Sequence, residues 1–121
     1  MPVRSSGSRL LRWPDAQSVD HAARRWASDL AARDGAVVRV GYFGSYARGD
    51  WGVGSDLDLV VILSHCPEPF ERRALRWDTT TLLVPADVLV YTAAEWDRLG
   101  DEPGLVRTAA REATWVYPRA A

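Results

Sequence analysis

The run DLDLVVIL, Asp56 to Leu63, sets the tightest limit on what this chain can fold into. An apolar, β-branched segment reads as a strand, and strand side chains alternate between the two faces of a sheet. Asp56 and Asp58 then project from one face at the strand's mouth, about 7 Å apart. Leu57 and Leu59 point the other way, where they can pack under a helix. Asp is depleted in strands, and two carboxylates this close repel unless a positive charge lies between them. A divalent cation resolves the conflict, because hard cations such as Mg²⁺ favour carboxylate oxygens and complete their shell with water or substrate phosphates. The pattern asks for a sheet with one buried face and, at the start of this strand, a face that carries a site.

The preceding segment, GSYARGDWGVGS (Gly44 to Ser55), supplies what a phosphate site needs. Gly44-Ser45 follows a β-branched run and enters a helical turn, so exposed backbone N–H groups point at an anion. Glycine at position 44 lets the backbone approach a phosphate with no Cβ in the way. Arg48 lies one turn later, within reach of the same phosphates or of the aspartates, and Gly49 permits a sharp exit. Taken singly, these turns read more readily as plain loops, with Asp56 as a helix or turn cap. Their order and spacing together are what is specific.

The rest of the chain narrows the chemistry. At 121 residues it is one domain, with room for a core but not for a second substrate lobe. A formal net charge of −1 gives no sign of bulk electrostatic binding to nucleic acid or to a membrane. No apolar run approaches the roughly 20 residues of a membrane span, and no signal-peptide segment opens the chain, so a cytoplasmic protein is expected. Every basic residue among the 15 is arginine. Without lysine, Schiff-base chemistry, lysine-linked nucleotide intermediates and a Walker-type lysine are ruled out. Arginine still suits phosphate through its forked donors. A single cysteine, Cys66, excludes an internal disulfide and a cysteine-based zinc cluster. Its neighbour His65 points the opposite way on an extended segment, and His21 reads as a helix-surface residue.

Organisation along the chain follows from periodicity and breakers. Residues 1–13 read as a flexible lead-in, and 14–121 as a single domain. PDAQSVDHAARRWASDLAARDG, from Pro14, is an amphipathic helix with Val19, Ala23, Trp26 and Leu30 at helical spacing, stopped by Gly35. Strands are expected over Ala36–Phe43 and Asp56–Leu63. Pro67–Asp78 reads as a short helix with Phe70, Ala74 and Trp77 on one face. TTTLLVP and ADVLVYT read as extended segments broken by Pro85. Thr92 caps AAEWDRLG, Pro103 opens a last helix, and TWVYP closes as an edge strand. The mixture predicts an α/β (α+β) two-layer domain.

GSYARGDWGVGSDLDLVV resembles the signature of the DNA polymerase β-like nucleotidyltransferases: a Gly-Ser pair, then ARG, then Ser-Asp-x-Asp-Leu. Within that superfamily the short chain is most similar to the minimal nucleotidyltransferases of bacteria and archaea. The motif covers Gly44 to Val61, and the remainder matches by layout. The resemblance implies a small mixed sheet with helices packed mainly on one face. It also implies a third acid on a neighbouring strand. Asp87, which opens the apolar run of VPADVLVY, fits that place better than Glu71 or Asp78, which stand in polar or helical context. Asp56, Asp58 and Asp87 would then be catalytic and bind two Mg²⁺ ions, with Mn²⁺ as an alternative. Gly44, Ser45, Arg48 and Ser55 would bind ATP or another nucleoside triphosphate.

The resemblance further implies transfer of AMP to a hydroxyl, on a HEPN-type partner encoded nearby, as the antitoxin of a toxin–antitoxin pair. A non-catalytic module that neutralises such a partner, or transfer to a small molecule, are the alternatives. Either a homo- or a hetero-oligomer is compatible with the sequence. Two positions stay open at this level. Trp51 either stacks on a base, acceptor or partner, or fills a surface groove. Arg48 either contacts phosphate or pairs with Asp50 or Asp56 to fix its loop.

Overall fold

The computed structural model describes residues 13–118. The lead-in expected over residues 1–13 lies outside them, Trp13 excepted, and Trp13 is docked: its indole N–H donates to the Tyr46 hydroxyl at 3.0 Å.

Helix α1 (Ala16–Arg33) starts where Asp15 accepts a hydrogen bond from the Ser18 N–H, and it buries Val19, Ala23, Trp26, Ala27 and Leu30. Strand β1 (Val37–Phe43) leads through Gly44 into one helical turn, α2 (Ser45–Arg48). Strand β2 (Leu57–Leu63) is buried at nearly every position. A turn α3 (Phe70–Arg73) and two 3₁₀ turns, Ala74–Arg76 and Thr80–Leu82, cross to β3 (Ala86–Thr92). Helices α4 (Ala93–Gly100) and α5 (Leu105–Glu112) then precede β4 (Thr114–Tyr117).

The four strands form one mixed sheet in the order β3-β2-β1-β4. Strand β1 is antiparallel to β2 and β4, whereas β2 and β3 run parallel. Strand β4 takes the edge, as expected of TWVYP. It crosses closely over Gly41, where a Cβ would lie 2.7 Å from the Trp115 ring and 2.9 Å from the Thr114 carbonyl.

Helices cover both faces of the sheet, not mainly one as the resemblance implied, because the segments after β3 return over the side opposite α1. Helix α1 and the Thr80–Leu82 turn pack on the face of Val40, Tyr42, Leu57, Leu59, Val61 and Leu63. Helices α4 and α5 pack on the other, over Phe43, Val60, Ile62 and Tyr91, with Trp96, Val106 and Ala109. The second layer explains why LDLVVIL is a continuous apolar run after Asp58: a strand buried on both faces need not alternate. Among the described residues no helix is long and apolar enough to cross a membrane.

The crossover from β2 to β3 departs from expectation in two places. The helix expected over Pro67–Asp78 is one α turn followed by one 3₁₀ turn. Its buried residue is Arg73, not an apolar stripe. Phe70 packs beside Tyr91 at 5.3 Å between ring centroids, while Trp77 meets Trp26 edge-on at 6.5 Å in the opposite cluster. Arg73 outweighs the expected pattern because it has a full set of partners: both Glu95 carboxylate oxygens and the carbonyls of Glu68 and Val90. TTTLLVP is likewise not extended. Asp78 accepts from the Thr80 N–H at 2.9 Å and the Thr80 hydroxyl at 3.1 Å, which folds the chain into a 3₁₀ turn.

Candidate active site

Gly44 occupies φ 78°, ψ −150°, a backbone conformation open in practice only to glycine. A Cβ there would also run into the Asp58 carboxylate, so glycine is required twice over. The residue turns β1 into α2 and holds its backbone against the start of β2. Asp58 is fixed by two ladders at once. It pairs with Phe43 across the antiparallel β1–β2 ladder and with Asp87 across the parallel β2–β3 ladder. Side chains in register on adjacent strands share a face about 5 Å apart, so the third acid expected at Asp87 lies beside Asp58. Asp56 stands just before β2 and is exposed, one residue outside the strand expected to contain it.

The electrostatics record this crowding. Burial pushes the Asp58 carboxyl above its ordinary range, and the charges of Asp87 and Asp56 push it further. Arg48 opposes the shift, and Glu112 adds to it. Carboxylates are hard oxygen donors of the kind Mg²⁺ takes. As the side chains stand, no group of three acidic, histidine or cysteine residues among those described converges closely enough to hold an ion. Strand register brings Asp58 and Asp87 side by side, and carboxylate oxygen is the donor type a hard cation takes.

Two hollows meet at Asp58. One, of about 490 Å³, is lined by Gly44, Ser45, Arg48, Ser55, Asp56 and Asp58 on one side and by Leu105, Thr108 and Glu112 on the other. All four residues expected to bind nucleotide face it. The second, of about 730 Å³, continues past Asp58 to Asp87 and is mainly apolar, with Leu75, Trp77 and Leu105 in its walls. A hollow of similar size between α1 and the Thr80–Leu82 turn, lined by His21, Arg25 and Thr81, contains none of these residues.

Several of these side chains have partners within the fold. The Ser55 Oγ accepts a hydrogen bond from the Gly52 N–H at 2.8 Å, closing the turn before β2. Arg48 pairs with Asp50 at 3.1 Å, one of the two loop-fixing partners considered for it, and not with Asp56. Trp51 stacks on Tyr46 with ring centroids 5.5 Å apart and planes 10° from parallel, filling a groove beside the core. Glu112 is the residue that sequence reading missed. Its Oε1 accepts from the Gly44 N–H at 3.1 Å and from Arg48 Nη1 at 3.4 Å. Nothing local marks it, since its partners lie in a distant segment; only the antiparallel β1–β4 pairing carries the end of α5 to Gly44.

Comparisons with known proteins agree with this layout. A Sulfolobus solfataricus protein, whose nucleotidyltransferase assignment is itself an inference, superposes with a TM-score of 0.61 at 20% identity, over 88% of this chain and 90% of that one. A chain from a toxin–antitoxin structure with AMP-PNP superposes with a TM-score of 0.54 at 15% identity, over 78% of this chain and 72% of that one. At such identities the likeness is one of fold. No curated protein matches the chain. The model of the nucleotidyltransferase domain matches residues 24–116, from mid-α1 to β4 and through every site residue named above. The chain belongs to the nucleotidyltransferase domain family.

Proposed function

We propose that this protein is a metal-dependent nucleotidyltransferase that moves AMP from ATP to a hydroxyl on a partner protein, as the antitoxin of a toxin–antitoxin pair. The observation that carries the proposal is the register of Asp58 with Asp87, placed against the Cβ-free backbone of Gly44. Acid pair and anion loop are thereby parts of one site.

Asp56, Asp58 and Asp87 would hold the metal. Two Mg²⁺ ions held there would supply charge neutralisation for an in-line displacement at phosphorus. The chain's own groups position the reactants. Backbone N–H groups of Gly44 and Ser45 hold the β- and γ-phosphates, and Arg48 is a further phosphate donor once it leaves its present partners. The acceptor hydroxyl approaches from the apolar hollow beside Asp87, and Asp87 takes its proton. A bond forms between the acceptor oxygen and the α-phosphorus, the bond to the bridging oxygen breaks, and pyrophosphate leaves.

The leucine-lined walls of that hollow suit a protein side chain better than a polycationic small molecule, which calls for an acidic lining. The structural neighbour solved as a toxin–antitoxin with AMP-PNP supports both the nucleotide and the partner. A HEPN-type identity for the partner rests on the motif resemblance between Gly44 and Val61.

Labelled ATP, Mg²⁺ and the product of the adjacent gene provide the test. Label should pass to that product with the wild-type protein and be lost with Asp58→Asn. Transfer that survives this substitution would overturn the assignment of the carboxylates. One observation favours a binding-only module: the anion loop is already engaged by Glu112. Full neutralisation of the partner by Asp56→Ala/Asp58→Ala would establish that alternative.

A further inference from the structure

We infer that the Glu112 carboxylate is a resident anion of the Gly44–Arg48 cradle, and that a polyphosphate must displace it to bind. The inference rests on reading that cradle as the triphosphate site. One oxygen, Oε1 of Glu112, accepts from both the Gly44 N–H and the Arg48 guanidinium. These donors come from the β1–α2 turn, whereas the acceptor comes from the last turn of α5, so the contact ties two separate segments across the hollow. A phosphate oxygen would need the same two donors, and a single N–H cannot serve both anions well.

Glu112 is not isolated on α5. Leu105, Thr108 and Glu112 recur at helical spacing and line the hollow together, so one face of α5 forms its wall. The glutamate side chain keeps 23% of its surface exposed, which leaves it a path to rotate out of the cradle. Electrostatics act in the same sense. Glu112 contributes to the repulsion around Asp58, and a polyanion entering the hollow adds to it. Withdrawal of the glutamate therefore removes a like charge and frees two donors in one movement. A cradle filled in this way discriminates against weak anions, because a ligand must out-compete a tethered carboxylate before it gains any contact.

Binding of sodium tripolyphosphate and of ATP, each with Mg²⁺, would be measured by calorimetry for the full chain and for Glu112→Gln and Glu112→Ala. Loss of a competing charged acceptor should tighten both ligands by roughly tenfold in either variant. Circular dichroism checks that the variants are folded, and glutamine keeps the shape and one acceptor oxygen if the alanine does not fold.

Equal or weaker binding by folded variants overturns the inference and leaves the nucleotide reading standing, provided the wild type binds ATP. Failure of all three folded forms to bind either ligand overturns the nucleotide reading and this inference with it.

Discussion

Asp58 and Asp87 face one another across the parallel β2–β3 ladder, and burial together with the Asp87 charge is what lifts the Asp58 carboxyl above its usual range. For a carboxyl raised on folding, the native state binds more protons than the unfolded chain between the two pKa values. Stability then falls as pH rises through that window. Asp58→Asn should remove this decline and stabilise the protein at neutral pH, by less than about 1 kcal/mol once solvent screening is allowed for. Thermal melts between pH 4 and pH 8 check the sign. Mg²⁺ should raise the wild-type melting temperature at pH 7.5 and leave Asp58→Asn/Asp87→Asn unmoved.

Gly44→Ala tests the turn. The positive φ and the collision with Asp58 act together, so a loss of about 2–3 kcal/mol is expected in urea unfolding. Gly49, also at positive φ but with open space around it, should tolerate alanine better. If the two substitutions cost the same, the contact with Asp58 contributes nothing.

Arg73 and Glu95 form the most protected ion pair described, bonded at 2.6 Å and 3.2 Å. Arg73 holds the Glu95 carboxyl down to about 2, with the Thr92 N–H assisting. The sign is opposite to that of Asp58. Stability from Glu95 is present above its unfolded value of 4.5 and is lost as pH falls from there towards 2. Glu95→Gln should flatten the acid limb of the stability curve while keeping the capping box with Thr92. Arg73→Met, which strands two carbonyls and a carboxylate, should cost about 2–4 kcal/mol. Urea titrations at pH 7 and pH 3 separate these effects.

The stack of Trp51 on Tyr46 predicts a structural role for a residue that stands inside the motif. Trp51→Ala should lose about 1–3 kcal/mol of stability and shift tryptophan fluorescence. Its ATP affinity should stay within about twofold of wild type, since the ring packs against the core and not into either hollow. A tenfold loss of affinity would instead place Trp51 at the nucleotide.

The sheet, the long helix and the glycine turn could be read from the sequence because each rests on local rules: helical spacing in α1, β-branched runs, and a Gly-Ser junction. The position of Asp87 was also within reach, since an acid opening an apolar strand repeats the anomaly at Asp58. Residues 64–85 were not. That crossover is organised by Arg73 reaching Glu95 and by Asp78 turning the chain onto Thr80, contacts between polar groups that periodicity does not register. Glu112 escaped for a similar reason. A glutamate at the end of a helix looks solvated, and only the chain's return along β1 delivers it to Gly44.

The parallel pairing of β2 with β3 has a kinetic consequence. Parallel neighbours cannot be joined by a tight hairpin, and here the intervening chain contains little regular helix to guide its return. Loop-closure entropy must be met before any β2–β3 contact forms, so Asp58 and Asp87 meet late in folding. A nascent chain that has already made β1 and β2 therefore has the Gly44 turn and Asp58 in place, with Asp87 not yet beside them. Asp87 joins Asp58 only when enough of the chain is free for β3 to dock, ahead of α4, α5 and β4, which follow it in the sequence.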